Sequence, residues 1–413
     1  MQENNISKNN FEQCIKCTIC TAYCPLVPVN PSFPGPKQAG PDGERLRLKN
    51  SFYYDENLKY CMNCKRCEVA CPSGVHIADI IHGARLKYSK SRPSLRDTIL
   101  ANTDFMGKMA RPFAPVVNAV TASAPAKILM HSILGVDKRR TFPKYQRQGF
   151  VSWFRKNAEA FQERFPAKVA FFHGCSTEFQ HPEVGKAFVH VMNALGYGVV
   201  LIDEKCCGVA MISNGMWKSA EKHARHNVAV FEKAVAAGLP IVGVSSTCIF
   251  TMRDEYPAII KVENSKVRNS IVLVEKFLYE LIDSGKVKLI FNREYKARSA
   301  YHIPCHMEKL GWSIFTRRLM EKIPGMELLP MESNCCGIAG TYGFKKENYK
   351  YSQSIGKPLF DQINSIDPDF VTCECETCKW QIEMSTKYKV LNPIQILEKA
   401  LDLDATAKAN GIK

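Results

Sequence analysis

Cys14, Cys17, Cys20 and Cys24, followed by Pro25, space their thiols as C-x2-C-x2-C-x3-C-P, and Cys61, Cys64, Cys67 and Cys71, followed by Pro72, repeat the same word. Two copies of this spacing are a ligand set for a pair of [4Fe–4S] clusters. Three thiolates on one tight loop each reach a separate iron, while the fourth, on the helix that follows, reaches across to the other cluster. The expected sets are Cys14, Cys17, Cys20 and Cys71 for one cluster and Cys24, Cys61, Cys64 and Cys67 for the other. Structural zinc is the competing chemistry. It closes at four ligands, usually from two C-x2-C pairs, and eight thiols in this spacing fit it poorly.

A second pattern puts thiols on adjacent residues: "KCCG" holds Cys206 and Cys207, and "NCCG" holds Cys335 and Cys336. Neighbouring side chains project differently, so two adjacent thiolates are more easily placed on different metal atoms of a polynuclear cluster than on one atom. The glycine that follows permits a positive φ or a close turn around a large inorganic body. A redox-active vicinal disulfide is the alternative, and it leaves Cys305, Cys375 and Cys378 without a role. Cys175, Cys206, Cys207 and Cys248 correspond to Cys305, Cys335, Cys336 and Cys375 at offsets of 130, 129, 129 and 127 residues, which marks an internal repeat. The first copy is thinner, with Thr251 where the second has Cys378 and Ser246 where it has Cys373. Its four thiols belong either to a different metal centre or to a scaffold that no longer binds one. Cys373 falls outside the pattern and reads as a free thiol.

In each copy the cysteines fall just after apolar strands that alternate with helices. The first runs "AKVAFFHGC", a helix through "GKAFVHVMNALG", "GVVLID", "KCCG", a helix over 220–236 and "PIVGVSSTC". The second runs "RSAYHIPC", a helix near Phe315, "MELLPM", "NCCG", a helix over 349–363 and "DFVTCECETC". Such alternation implies a parallel sheet, and loops at the carboxyl ends of its strands share the edge where open α/β sheets hold ligands. The expected fold is a multidomain α+β and α/β chain. An α-helical ferredoxin-type 2[4Fe–4S] domain covers residues 1–84, a connector 85–167, and two tandem βαβ cysteine-rich repeats 168–292 and 293–413. Inside the first block, "VPVNPSFPGPKQAGPDGERL" is too rich in proline and glycine for a continuous helix or central strand and reads as an ordered loop.

The chain has 413 residues, 46% apolar and 23% charged, enough for ordinary globular cores. With 18 cysteines it is far too long for a disulfide-stapled secreted scaffold, and "MQENNISKNNFEQ" carries no leader pattern, so a reducing cytosol is the expected compartment. Of the net charge of +16, residues 85–168 carry +12, from 17 Lys and Arg against 5 Asp and Glu, and contain no cysteine. Nucleic acid, anionic lipid or an acidic protein would each be attracted there.

The word C-x(about 30)-C-C-G-x(about 37)-C-x-x-C resembles the cysteine-rich domain of heterodisulfide reductases and their relatives, including the iron–sulfur subunits of glycolate and lactate oxidases. That resemblance implies that Cys305, Cys335, Cys336, Cys375 and Cys378 hold a non-cubane [4Fe–4S] cluster, and it leaves Cys175, Cys206, Cys207 and Cys248 as a candidate metal set. Over nearly the whole chain, "CIKCTICTAYCPLVPVNPSFPGPKQAGPDGERLRL", "YCMNCKRCEVACPS" and both paired-cysteine domains resemble the C-subunit family of anaerobic glycerol-3-phosphate dehydrogenases. What this implies is an electron-transfer subunit that does not itself act on glycerol 3-phosphate. Its implied partners are the flavin-bearing A and B subunits and menaquinone or another quinone as electron acceptor. Its implied place is peripheral, on the cytoplasmic face of the inner membrane. The alternatives are the iron–sulfur subunit of a related glycolate or lactate oxidase and a catalytic subunit acting on a disulfide.

"RPFAPVVNAVTASAPAKILMHSILGVDKRR" has only 15 residues without charge between Arg111 and Lys127, and it contains Pro112, Pro115 and Pro125, so no transmembrane segment is expected. Its apolar residues Phe113, Val116, Val117, Val120, Ile128, Leu129, Met130, Ile133 and Leu134 suit an interfacial segment, flanked by Arg111, Lys138, Arg139, Arg140, Lys144 and Arg147. Packing of residues 104–147 against the chain's own domains or a partner is the competing account. His173, His302 and His306 lie beside Cys175 and Cys305 as hydrogen-bond donors, proton relays or structural histidines. Arg45, Arg47, Lys65 and Arg66 either offset cluster charge or form a solvated surface. No strand-linked G-x-G-x-x-G and no P-loop is present, which places a flavin in a partner. No nucleic-acid-binding motif accompanies the basic region, so nucleic acid is not an expected partner.

Overall fold

The computed structural model describes residues 10–412; the first nine residues, part of the stretch read as lacking a leader, lie outside the described residues. The first repeat forms β1 (Ala167–Phe172), β2 (Tyr197–Leu201), β3 (Ile241–Gly243) and β4 (Ile271–Leu273), in the order β2-β1-β3-β4. The second forms β5 (Ala297–Tyr301), β6 (Met326–Pro330), β7 (Phe370–Thr372) and β8 (Val390–Leu391), in the order β6-β5-β7-β8. Every pairing is parallel, with Ala167 opposite Tyr197 in one sheet and Ala297 opposite Met326 in the other. β1 is buried continuously from Val169 to Phe172, as a strand covered on both faces must be. Sequence reading misses the fourth strand of each sheet. "IVL" and "VL" are too short to carry a period-two signal.

One apolar core joins the repeats. The first repeat's helix Pro182–Ala194 packs on the second repeat's Pro393–Ala400, and Val274–Asp283 packs on Ser313–Met320. Phe150, Phe171, Phe188, Leu278, Leu319 and Leu397 meet between them, with the Phe171 and Phe188 rings stacked at 3.9 Å. Each such buried side chain contributes about 1.5–3 kcal/mol, so the repeats are held by shared core. Asn392 caps Pro393–Ala400 in a reciprocal box with Gln395, and Pro393 occupies the first turn, where a missing N–H costs nothing.

In the N-terminal domain the short helices Ile19–Ala22 and Arg66–Val69 each carry the third cysteine of a motif, and Ile77–Tyr88 supplies Ile77, Ile80, Ile81 and Ala84 to a small core. Cys335, Tyr342 and Ile355 of the second repeat complete that core, so the domain is docked on the second repeat. The segment read as a loop is partly helical. It forms turns at Gln38–Asp42 and Gly43–Arg47, broken at Gly40, where a Cβ would lie 2.8 Å from Ile77. Proline and glycine interrupt the helix there without abolishing it.

The connector is helical: Leu95–Ala101, capped by Ser94 with Asp97, then Thr103–Ala110, Ala114–Ala122 and Ala124–Leu129. Pro112, Pro115 and Pro125 sit in first turns, so they divide the segment into short helices. Among the described residues no single helix is long and apolar enough to cross a membrane; Thr103–Ala122 and Ala124–Leu134 meet at a 76° bend. Phe113 is 65% exposed and Ile133 71%, and Val116, Val120, Ile128 and Leu129 are also exposed, so these six do not pack on the chain's own domains. Phe105 and Met109 extend the same exposed set. The basic flank is thinner than expected. Arg140 is 1% exposed and donates to Gln381 at 2.6 Å, Arg139 is paired with Asp137, and Arg111 with Glu178.

Candidate metal centres

Both C-x2-C-x2-C loops hold non-glycine residues in the left-handed region at matching positions: Lys16 and Thr18 (φ 61° and 64°), Asn63 and Lys65 (φ 55° and 64°). Each costs an L-residue about 1–2 kcal/mol. The alternation turns successive backbone N–H groups into a concavity, the kind of nest that receives iron–sulfur clusters. Cys14, Cys17 and Cys71 lie in the electrostatic surroundings of Cys20. Cys24, Cys61, Cys64 and Cys67 line one pocket with Leu26, Phe33 and Ile81. Burial pushes the Cys24 thiol up to about 12, with Cys64 adding to it, and burial pushes Cys61 up to about 11. Left to themselves these thiols are neutral. Metal coordination reverses that balance, because a coordinated thiol is deprotonated. Donor set and backbone both fit an iron–sulfur group.

Of the four basic residues singled out in this domain, Arg47, Lys65 and Arg66 are buried and paired, and Arg45 is half-buried between Glu12 and Asp42. Lys65 is buried and ion-paired with Asp79, and Arg47 is buried against Glu44. Arg66 crosses the domain boundary, donating to Glu308 at 3.2 Å, the Ser333 hydroxyl at 2.7 Å and the Ser333 carbonyl at 2.8 Å. Cys64, Cys305 and Cys335 all act on its charge.

In the second repeat the thiols sit at the ends of β5, β6 and β7, at the switch point of the sheet. Cys336 donates to Cys378 at 3.3 Å, and Cys335 and Cys64 lie in the electrostatic surroundings of Cys305. Contacts from Cys305 and Cys336 pull Cys335 well below the ordinary thiol range, while Cys378 holds Cys375 down at about 5. Gly337 has φ 83°, and a Cβ there would come 2.1 Å from the Ser352 carbonyl oxygen. Cys373, read as outside the pattern, lies beside this site. Its sulfur lies within 4.8 Å of Cys378 and of a His302 ring nitrogen. His302 is 1% exposed, burial lowers it to about 4, and its Nε2 has no hydrogen-bond partner among the described residues. His306 bonds the Asn63 carbonyl at 3.1 Å and stacks on Phe250, and His173 bonds the Gly174 carbonyl at 3.1 Å; both read as structural.

In the first repeat Cys175 lies 3.8 Å from Cys206, and Cys206 and Cys248 lie in the electrostatic surroundings of Cys207. Here too the first thiol of the adjacent pair is held low, by Cys175 and Cys207. Thr251 points away, donating to Glu255 at 2.7 Å, and Ser246 is bonded to the Glu374 carbonyl. Asp104 and Thr103 of the connector, which no motif marks, reach this site.

The family model described as a 4Fe-4S dicluster domain matches residues 10–75, and that described as a cysteine-rich domain matches residues 169–253 and 299–383. The C subunit of the anaerobic glycerol-3-phosphate dehydrogenase of Escherichia coli (strain K12) is 52% identical over 398 residues, covering 96% of this chain and 100% of that protein. The B subunit of the fumarate reductase (CoM/CoB) of Methanothermobacter marburgensis is 24% identical over 415 residues, covering 95% of this chain and 72% of that one. The glycolate oxidase iron-sulfur subunit of Escherichia coli (strain K12) is 23% identical over 420 residues, covering 94% of each.

Proposed function

We propose, from the premise that the chain belongs to the C-subunit family of anaerobic glycerol-3-phosphate dehydrogenases, that it passes electrons from flavin-bearing A and B partner subunits to a membrane quinone such as menaquinone. Cys14, Cys17, Cys20 and Cys71 would hold one [4Fe–4S] cluster and Cys24, Cys61, Cys64 and Cys67 a second. Cys305, Cys335, Cys336, Cys375 and Cys378 would hold a non-cubane one. When bound, these groups supply one-electron acceptance and donation.

The observation that carries this reading is the junction at the domain boundary, where Arg66, between Cys64 and Cys67, bonds Glu308 and Ser333 of the second repeat and Cys64 lies in the electrostatic surroundings of Cys305. Electron exchange falls steeply with distance, and the two sets of thiols come near one another there. Arg66 holds that junction together and places a positive charge beside three of its sulfurs. The donor set of the second repeat, with adjacent thiols and a fifth cysteine, favours a polynuclear centre over zinc. The test is anaerobic iron and sulfide analysis with EPR on wild type and Cys336→Ser. Cys336→Ser should lose about four irons and one set of signals while the N-terminal signals persist. A spectrum unchanged by the substitution would remove the assignment at the second repeat.

The same reading places the chain peripherally on the cytoplasmic leaflet, through Phe105, Met109, Phe113, Val116, Ile128 and Ile133 on the bent connector.

A further inference from the structure

We propose that the first repeat also binds a polynuclear iron–sulfur centre and that Asp104, from the connector, supplies a fifth ligand to its four thiols. This rests on the reading that the second repeat's thiols hold such a cluster. Thr251, at the position of the missing cysteine, is buried and engaged with Glu255. A further donor comes instead from another part of the chain, on the Cys175 and Cys206 side of the site. A carboxylate oxygen of Asp104 and the sulfurs of Cys175 and Cys206 all lie within 4.8 Å of one another, and Cys206 and Cys248 both lie in the electrostatic surroundings of Cys207. Four thiols and one carboxylate thus converge.

The approach of Asp104 is built into the fold. Its Oδ2 accepts the Cys206 N–H at 2.8 Å, and the Thr103 hydroxyl donates to the Cys206 sulfur at 3.3 Å. One turn on, Gly107 lets the helix Thr103–Ala110 press against Gly174–Phe179, the helix that carries Cys175. A Cβ on Gly107 would lie 2.3 Å from the Phe179 ring. Five donors exceed the four of a structural zinc site, and adjacent Cys206 and Cys207 call for more than one metal atom. Iron accepts carboxylate beside softer ligands, so one iron of this centre would be bound through oxygen.

The experiment uses the full chain purified without oxygen, with iron and acid-labile sulfide per chain and low-temperature EPR on Cys207→Ser, Asp104→Ala and Asp104→Cys; the N-terminal cluster signals report folding in every variant. Cys207→Ser should lose about four irons and four sulfides. Asp104→Ala should lose the same iron or shift the signal that Cys207→Ser removes. Asp104→Cys, an all-thiolate set, should keep the iron and move that signal toward the one Cys336→Ser abolishes. Unchanged iron and spectrum in Cys207→Ser would overturn the centre. Loss in Cys207→Ser with Asp104→Ala identical to wild type would overturn the carboxylate ligand. A Cys336→Ser variant that loses nothing would instead refute the reading of the second repeat.

Discussion

At Gly208 and Gly337 two residues that each follow a pair of adjacent cysteines meet different surroundings. Both have positive φ, 86° and 83°, so each carries the left-handed requirement that the "CCG" word suggests. At Gly208 the nearest atom to an added Cβ is Ala220 Cα at 3.6 Å, an ordinary contact; at Gly337 it is the Ser352 carbonyl oxygen at 2.1 Å. Gly208→Ala should therefore cost about 1–2 kcal/mol, the backbone term alone. Gly337→Ala should cost several times that, because the helix Tyr349–Ile366 must move. Denaturant midpoints of the two variants check this, and equal losses would show that only φ matters. The glycine's φ was readable from sequence, but its packing was not, since Ser352 approaches from 15 residues further along the chain.

Among the elements, the connector is the one whose docking sequence reading could not supply. Its first helix is clipped to the second repeat by Arg96, which reaches both oxygens of Glu347 at 2.9 and 2.8 Å, and by Lys345, 2.8 Å from Asp97. Burial alone would raise both carboxyls. Lys345, Arg96 and Ser94 outweigh it at Asp97, and Arg96 at Glu347, so both sit below the usual carboxylate range. Burial also lowers Lys345, which matters only on the alkaline side. A carboxyl depressed in the folded state contributes stability above its unfolded value and loses it as pH falls through the folded one. Asp97→Asn should thus destabilise by about 1–2 kcal/mol at neutral pH, and its difference from wild type should shrink below about pH 4. Chemical denaturation across pH measures it; a difference independent of pH would mean that the ion pair is not its source.

For the whole molecule, the bent apolar face and its thin basic rim make opposite demands on salt. Of the six basic residues expected to flank it, Arg111, Arg139 and Arg140 are taken up by internal partners, while Lys138, Lys144 and Arg147 are exposed. Burial of apolar side chains should therefore dominate lipid binding. The full chain should float with anionic liposomes at low salt and largely remain bound at moderate salt. Phe113→Glu or Ile133→Glu should each weaken binding about tenfold or more, since one buried apolar side chain is worth about 1.5–3 kcal/mol. A chain that stays at the bottom at low salt is not an anchor by itself.

The thiol spacings, the two repeats and the alternation of strands and helices were determined by sequence alone, because ligand spacing and parallel-sheet order are local or periodic properties. They carried the parallel sheets, the iron–sulfur chemistry of the N-terminal domain and the family. Tertiary structure alone decided which thiols of different domains come near one another, as Cys64 and Cys305 do. It also decided that Cys373 lies beside the second site and that Asp104 reaches the first from a segment with no motif. Each of those contacts joins residues on different elements, and in two of them the residues are 71 and more positions apart. Their meeting depends on how helices and sheets pack, which no spacing along the chain encodes.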